Sequence, residues 1–430
     1  MSKLYTAFLF FAALAAPVLA EPFTPKSYIK KVLDASPTLR QAEESFKQAE
    51  NSYKTAVLGA ALPSFTLSLS DTLYDDQNRS LLLDRNDVAA SLYASWSLYD
   101  SASSPVRKIK IARLDYEAAR LIYQTSKQNE AVKALVRFYA LYSAQRRIGI
   151  AKMNLVSREQ QYKDTNEQFQ SGTRSHIEVT QSEGDKLDSE LSLARAETAE
   201  IKALMAFNEL INTEPDAPQA VEISTLSANI KLPLPKEDVA KALENNFSLR
   251  QQKLSLQKTQ LSSRSGVLSN YPRFKVDAAW RKTALGLPGT KGGSWDGNPA
   301  YSLGASLSLP FGFLGAQNYL EVKSLEAALK SAELEIENSV RALKTSVLSA
   351  QKDIELQLKS SQLLEFQVKA QKETTDNLLG EYSLGGASFL QMDSSQTKLL
   401  DSSNSQITAA NDLDLALANY RVLLGEKIWE

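Results

Sequence analysis

Tyr301-Ser302-Leu303-Gly304-Ala305-Ser306-Leu307-Ser308-Leu309 alternates without a break. Its odd positions are apolar or aromatic and its even positions are serine or glycine. Successive side chains of a β-strand point to opposite faces, so this run has one apolar and one small polar face. Three other runs behave alike. Phe274, Val276, Ala278 and Trp280 alternate with Lys275, Asp277 and Arg281. Leu92, Ala94, Trp96 and Leu98 stand against Ser91, Tyr93, Ser95 and Ser97, and Phe65, Leu67 and Leu69 against Thr66, Ser68 and Ser70. The pattern predicts strands over about 63–74, 88–100, 272–284 and 299–309. Four strands in 430 residues are too few for a soluble sandwich. They read either as a small sheet packed on helices or as part of a transmembrane barrel with its apolar face to lipid. Each run is near the ~9–11 residues of a tilted membrane strand. Tyr301, Trp280, Trp96 and Tyr99 stand near the ends of the runs, where interfacial aromatics belong. Hydrocarbon does not tolerate an open sheet edge, so the barrel reading demands an oligomer; three chains would supply twelve strands.

The period then changes. Between Pro105 and Gln170, Leu114, Ala118, Leu121, Val132, Leu135, Tyr139, Tyr142, Met153 and Val156 recur at spacings of three and four. Val322, Leu325, Leu329, Ala332, Ile336, Val340, Leu343, Val347, Ala350, Ile354 and Leu358 do so over 318–381. These are very long helices: about 66 residues at 1.5 Å each reach roughly 100 Å, more than a compact domain spans, so they extend as a coiled coil. Gly172 and Gly385-Gly386 can end them in a left-handed conformation. Returning helices are expected over about 175–211 and 388–424. Each is too short to line the whole long helix. A first helix over 26–60, with Ser27 as its N-cap and Pro37 interrupting it, makes up the missing length in the first half. The two short helices are therefore expected to stack end to end beside the long one. Pro215, Pro218, Pro233 and Pro235 mark 214–236 as a linker with little regular structure.

The second half repeats the first. Leu39-Arg40 returns as Leu249-Arg250, Phe169-Gln170-Ser171-Gly172 as Tyr382-Ser383-Leu384-Gly385, and Phe207 with Leu210 as Tyr420 with Leu423. A unit this large is a duplicated half-protein rather than a solenoid repeat of ~20–50 residues. The repeats are set at 21–213 and 237–430. Ahead of them, Lys3, the apolar Leu4–Ala16 and Val18-Leu19-Ala20 read as a signal peptide over 1–20. No cysteine follows it that could carry a lipid anchor.

Composition excludes much else. Without cysteine there is no disulfide framework, thiolate chemistry or Cys-zinc site. A formal net charge of -1 gives no electrostatic footprint for nucleic acid. The only histidine, His176, falls at a helical turn, and Gly286–Gly293 lacks the ending of a phosphate-binding loop. Neither points to catalysis, a metal or a cofactor.

Taken together, these features resemble the TolC-type outer-membrane efflux proteins. The resemblance rests on Ser36-Pro37-Thr38-Leu39-Arg40, Leu62-Pro63-Ser64, Trp96-Ser97-Leu98-Tyr99-Asp100 and Ser308-Leu309-Pro310-Phe311-Gly312. The turns Phe169-x-x-Gly172-Thr173-x-Ser175-x-x-Glu178-Val179 and Tyr382-x-x-Gly385-x-x-Ser388-x-x-Gln391-Met392 match best. The resemblance implies a mainly α-helical protein with a transmembrane β-barrel. A homotrimer would form the twelve-stranded barrel and a long helical tunnel across the periplasm of a Gram-negative bacterium. It implies an exit duct for a tripartite efflux pump or type I secretion system, with a periplasmic adaptor and an inner-membrane exporter as partners. A soluble periplasmic coiled-coil adaptor or scaffold is the alternative that long helical hairpins alone would fit.

The resemblance also implies a gate at the periplasmic tip, with Gly172, Glu178, Tyr382, Gly385 and Asp393 as its candidate residues. Tyr382 and Glu178 are expected to share a hydrogen bond between helices, and a ring of Glu178 would give the mouth a cation preference. Ala387 stands where the family has an arginine, and Gln391 and Ser394 stand where it has two aspartates. Asp393 lies one position off that ring, about 100° away around a helix.

Overall fold

The computed structural model describes residues 22–72, 74–75, 80–81, 87–100, 105–222, 235–268, 273–285, 298–309, 316–384 and 386–429. The expected signal peptide and the loop at Gly286–Gly293 lie outside them.

The first helix is broken in two, α1 (Pro25–Ala35) and α2 (Pro37–Ala61). Pro37 begins the second helix, where its missing N–H costs nothing, and Ser36 caps it by accepting from the N–H of Leu39. The N-cap of α1 is Thr24, three residues before the expected position. Ser27 is instead the reciprocal partner in a capping box with Thr24. Strands β1 (Ser64–Thr72), β2 (Tyr74–Asp75), β3 (Ser80–Leu81) and β4 (Asp87–Asp100) follow. The long helix α3 (Pro105–Gln170) returns as α4 (His176–Leu210). The second half runs α5 (Pro235–Asn245), α6 (Phe247–Leu268), β5 (Arg273–Leu285), β6 (Ala300–Ser308), α7 (Ala316–Ser383) and α8 (Phe389–Leu423).

β1, β4, β5 and β6 form one antiparallel sheet in the order β1-β4-β5-β6. Register puts Ser64, Ser95, Asp277 and Gly304 across one row, and Thr66, Tyr93, Ala279 and Ser302 across the next. The opposite face carries Leu67, Leu92, Trp280 and Tyr301. Among the described residues no helix covers the apolar face: Leu67 is 75 % exposed and Leu303 80 %. A small sheet packed on its own helices would bury these side chains, so that reading fails.

Beside α3, α4 lies along the half that leads to the turn, and α1 and α2 along the other half. Their ends meet at a buried waist. There Tyr28 of α1 stacks on Phe207 of α4, centroids 3.8 Å apart, with Phe138 of α3 beside both. Tyr28, Phe138 and Phe207 are all 0 % exposed. The Tyr28 hydroxyl donates to the Phe207 carbonyl at 2.8 Å. The stretch expected to be irregular contributes here as well. Phe23 bridges Val221, and Asn208 donates to the carbonyls of Pro215 and Ala217. Its prolines exclude a helix or an inner strand, but not a chain pinned by side-chain amides. In the second half α5, α7 and α8 meet equivalently around Ala242, Val347, Ile354, Leu413 and Tyr420. The two halves are joined by Tyr139 donating to Asp414 at 2.9 Å and by the Lys258–Asp115 ion pair at 2.7 Å.

Candidate functional site at the helical tip

Both long helices end at the same pole. α3 closes with Gly172 at φ 78°, a left-handed residue that favours glycine. The Thr173 N–H reaches the Gln168 carbonyl and the Gly172 N–H that of Phe169, each at 2.9 Å, the bond pair of a Schellman motif. α7 closes with the Gly386 N–H on the Glu381 carbonyl at 2.8 Å; Gly385 lies outside the described residues. The chain re-enters helix through two matching capping boxes, Ser175 with Glu178 and Ser388 with Gln391. Gln391, out of place as an acidic ring residue, is thus the cap partner of its own helix.

The structure brings Tyr382 and Glu178 near each other but not into contact. Arg174 stands between them. Its guanidinium lies 4.4 Å from the Tyr382 ring centroid, pairs with the Glu178 carboxylate at 3.3 Å and donates to the Tyr382 carbonyl at 3.4 Å and to Gln168 Oε1 at 3.0 Å. The Tyr382 hydroxyl instead shares a 3.1 Å hydrogen bond with the Thr165 hydroxyl of α3, in the interior. The direct bond expected between Tyr382 and Glu178 is therefore replaced by an arginine bridge. The physical reason is reach: Glu178 serves the N-terminus of its own helix, whose first N–H groups need an acceptor, and a longer side chain spans the gap. Tyr382 also packs with Ala387, Phe389 and Met392 in a small buried cluster.

Asp393 has another role. Its carboxylate meets Arg158 of α3 at 2.6 Å, and Arg158 also lies 3.5 Å from Asp185 of α4. The Arg158 side chain is 7 % exposed, so this ion cluster joins three helices in the protein interior. Burial raises the Asp185 carboxyl against the lowering pull of Arg158. Asp393 thus meets a buried arginine on an inter-hairpin contact, with its own side chain 29 % exposed.

Arg174 and Arg158 were missed in the sequence. Arg174 left one trace, its spacing of four from Glu178, but such pairs are common on solvated helices. Arg158 left none among the many basic residues of α3. His176 is exposed and beside Phe169, ring centroids 5.6 Å apart. No carboxylate relay reaches it, and no cluster of metal-binding side chains occurs among the described residues.

This geometry, with a bare apolar sheet at one end and a pinned helical tip at the other, defines a membrane channel-tunnel. The sequence matches the family model described as outer membrane efflux protein over residues 28–213 and again over 239–426. The chain belongs to that family. No curated protein sequence matches it. Solved structures share the fold. The outer membrane protein VceC of Vibrio cholerae superposes with a TM-score of 0.78 at 16 % identity, covering 94 % of this chain and 97 % of that one. The CmeC outer membrane channel of Campylobacter jejuni gives 0.78 at 14 % identity, covering 93 % and 85 %. The MtrE outer membrane channel of Neisseria gonorrhoeae, in its open state, gives 0.75 at 15 % identity, covering 94 % and 89 %. The protein is thus an outer membrane efflux protein that shares the fold of solved outer-membrane channels.

Proposed function

We propose that three copies of this chain close one twelve-stranded barrel and one helical tunnel. The tunnel serves as the passive exit duct of a tripartite pump, joined at its periplasmic end by an adaptor and an inner-membrane exporter. The observation that carries this reading is the sheet. Its outer strands β1 and β6 have no partner among the described residues, and its apolar face is bare. In lipid every backbone N–H and C=O must be paired. β6 of one copy against β1 of the next satisfies both edges at once.

The tip acts as the gate, held within each protomer by Arg174. An open state is described for the MtrE channel, which supports a tip with two conformations. Opening here parts the first turn from Tyr382, at the cost of the cation–π contact and the hydrogen bond to the Tyr382 carbonyl. Together these are worth roughly 1–3 kcal/mol per chain. Because Arg174 already neutralises Glu178, an acidic Glu178 ring is not part of the proposal.

Purified protein in a planar bilayer tests both parts. It should require detergent for extraction, run as a trimer and conduct. The double variant Arg174→Ala/Tyr382→Phe should raise single-channel conductance severalfold. A water-soluble monomer, released without detergent, would overturn the duct reading and restore the adaptor alternative. A variant with unchanged conductance would overturn the gate.

A further inference from the structure

The two repeats treat charge differently on the short helix that leads into the sheet. On α2 acids and lysines pair along the helix: Glu43 and Glu44 hold Lys47 at 3.1 and 2.9 Å, and Glu50 holds Lys54 at 2.7 Å. Its counterpart α6 carries Arg250, Lys253, Lys258 and Arg264, and no acid between Phe247 and Leu268. In the alignment set by Leu39-Arg40 and Leu249-Arg250, Lys253 stands where α2 has Glu43. Lys258 finds its partner on α3, Asp115, at 2.7 Å. α3 leaves the sheet and α6 returns to it, so the two run antiparallel and this pair fixes their register. Five residues further from the sheet on each helix, Arg120 of α3 comes level with Lys253 of α6.

These side chains line a groove of about 680 Å³ between α2, α3 and α6, together with Arg113, Glu117 and Arg250 and the rings of Tyr53 and Tyr116. The volume falls within the ~300–1,000 Å³ of small-ligand sites. Glu117, the acid of the lining, is taken by Arg113 at 3.0 Å. Lys253 donates to the Leu243 carbonyl at 3.1 Å. Arg120, Arg250 and Lys253 are exposed, and among the described residues no acid lies within ion-pair reach of them. Uncompensated cations from two repeats repel one another across one groove. A ligand with several acidic groups removes that repulsion, and an arginine fork takes a carboxylate or phosphate through two parallel bonds. The Tyr53 and Tyr116 rings, stacked 6.0 Å apart at 22°, add an apolar wall that a bare inorganic ion leaves unused.

On that basis we propose that this groove binds a small organic polyanion, a molecule with at least two carboxylate or phosphate groups on a compact apolar frame. Arg120, Arg250 and Lys253 are its charge-binding residues. The site is built from one chain, so it does not depend on how many copies assemble. By bridging α3 of the first repeat to α6 of the second, the ligand ties the two halves together beside the Lys258–Asp115 pair.

The test is calorimetric titration of the full-length protein in detergent at neutral pH, in salt dilute enough for a Debye length above ~10 Å. The probes are trimesate, citrate and sulfate. Trimesate, an aromatic tricarboxylate, should bind saturably, one molecule per chain, with citrate weaker and sulfate weakest. Arg120→Gln/Arg250→Gln should weaken trimesate by about tenfold or more, since a hydrogen bond to a charged group is worth at least that much. Each single variant should weaken it severalfold. Neither guanidinium makes a hydrogen bond or ion pair among the described residues, so the double variant without ligand should keep the wild-type thermal midpoint. No saturable binding of trimesate or citrate to the wild type overturns the inference. So does an affinity indifferent to the arginine variants, or sulfate bound as tightly as trimesate. None of these results touches the duct reading, which is tested separately by extraction, oligomeric state and conductance.

Discussion

The two waists of the molecule occupy matching places in the duplicated chain and solve the same packing problem with opposite chemistry. In the first half Tyr28, Phe138 and Phe207 form an apolar aromatic cluster. The corresponding positions in the second half are Asp238, Gln351 and Tyr420. There the Gln351 amide donates to Asp238 at 2.9 Å and to the Tyr420 hydroxyl at 2.7 Å, and that hydroxyl donates to Asp238. Burial and the Asp238 carboxylate push the Tyr420 hydroxyl up, so it remains a donor. Asp238 is 0 % exposed and its second oxygen has no partner. The difference teaches that the fold requires a filled joint between stacked helices, not a particular chemistry. Dispersion and ring stacking fill one joint; a buried hydrogen-bond network fills the other, with heavier consequences for any missing member.

Breaking the aromatic joint should cost most. Phe207→Ala leaves a cavity beneath Tyr28 and should destabilise the protein by about 3–5 kcal/mol, read as a fall in the thermal midpoint in detergent. A loss below 1 kcal/mol would show that the stack is not a mainstay of the waist. Next comes the polar joint. Tyr420→Phe removes one donor from Asp238 and should cost about 1–3 kcal/mol. Its counterpart Tyr28→Phe gives up only one bond to a carbonyl and should cost about 0.5–1.5 kcal/mol. Reversing that order would mean that the network is poorly formed. The triple variant Asp238→Tyr/Gln351→Phe/Tyr420→Phe rebuilds the second joint in the image of the first. Apolar replacement of a buried charged network is often neutral or stabilising, so it should stay within about 1.5 kcal/mol of the wild type. A triple variant as unstable as its single variants summed would mean that the joints are not interchangeable.

The same asymmetry recurs near the tip, where pH gives the smallest effect. Arg158 reaches across to Asp393 and Asp185, whereas Gln371, its counterpart in the second half, bonds Ser395 within its own hairpin. Because burial raises the folded-state pKa of Asp185, the folded chain takes up that proton before the unfolded chain does as pH falls. Its unfavourable contribution is full above the folded pKa and is relieved on acidification. Asp185→Asn should therefore be slightly more stable than wild type at neutral pH, by under about 1 kcal/mol, and equal to it in acid. A gap that widens in acid would contradict this sign.

Much of the fold was legible because it repeats. Period two in Tyr301–Leu309 and the spacing of three and four in the long helices are local signals, and the duplication supplied each twice. Gly172 announced the turn because a left-handed residue there favours glycine. Asn212, left-handed at φ 54°, and Gly425 at φ 75° end the two returning helices in the same way. At Gly425 a Cβ would meet the Asn245 carbonyl at 2.3 Å, a contact between distant segments that no local pattern records. The tip residues were legible as a place but not as a set of partners. Tyr382 and Glu178 were found through the turns, whereas Arg174 and Thr165 pair with Tyr382 only after two hairpins have been laid together.

By itself the sequence determined the elements, their order, the two faces of each strand and the two poles of the molecule, because each follows from side-chain period and backbone conformation within a few turns. Tertiary structure alone decided which charges meet: Arg174 rather than Glu178 on Tyr382, Arg158 on Asp393, and Asp238 under Tyr420. Long side chains find partners across helix interfaces whose rotation and offset are set by the packing of the whole waist, and a shift of one residue, about 100° around a helix, is enough to exchange one partner for another.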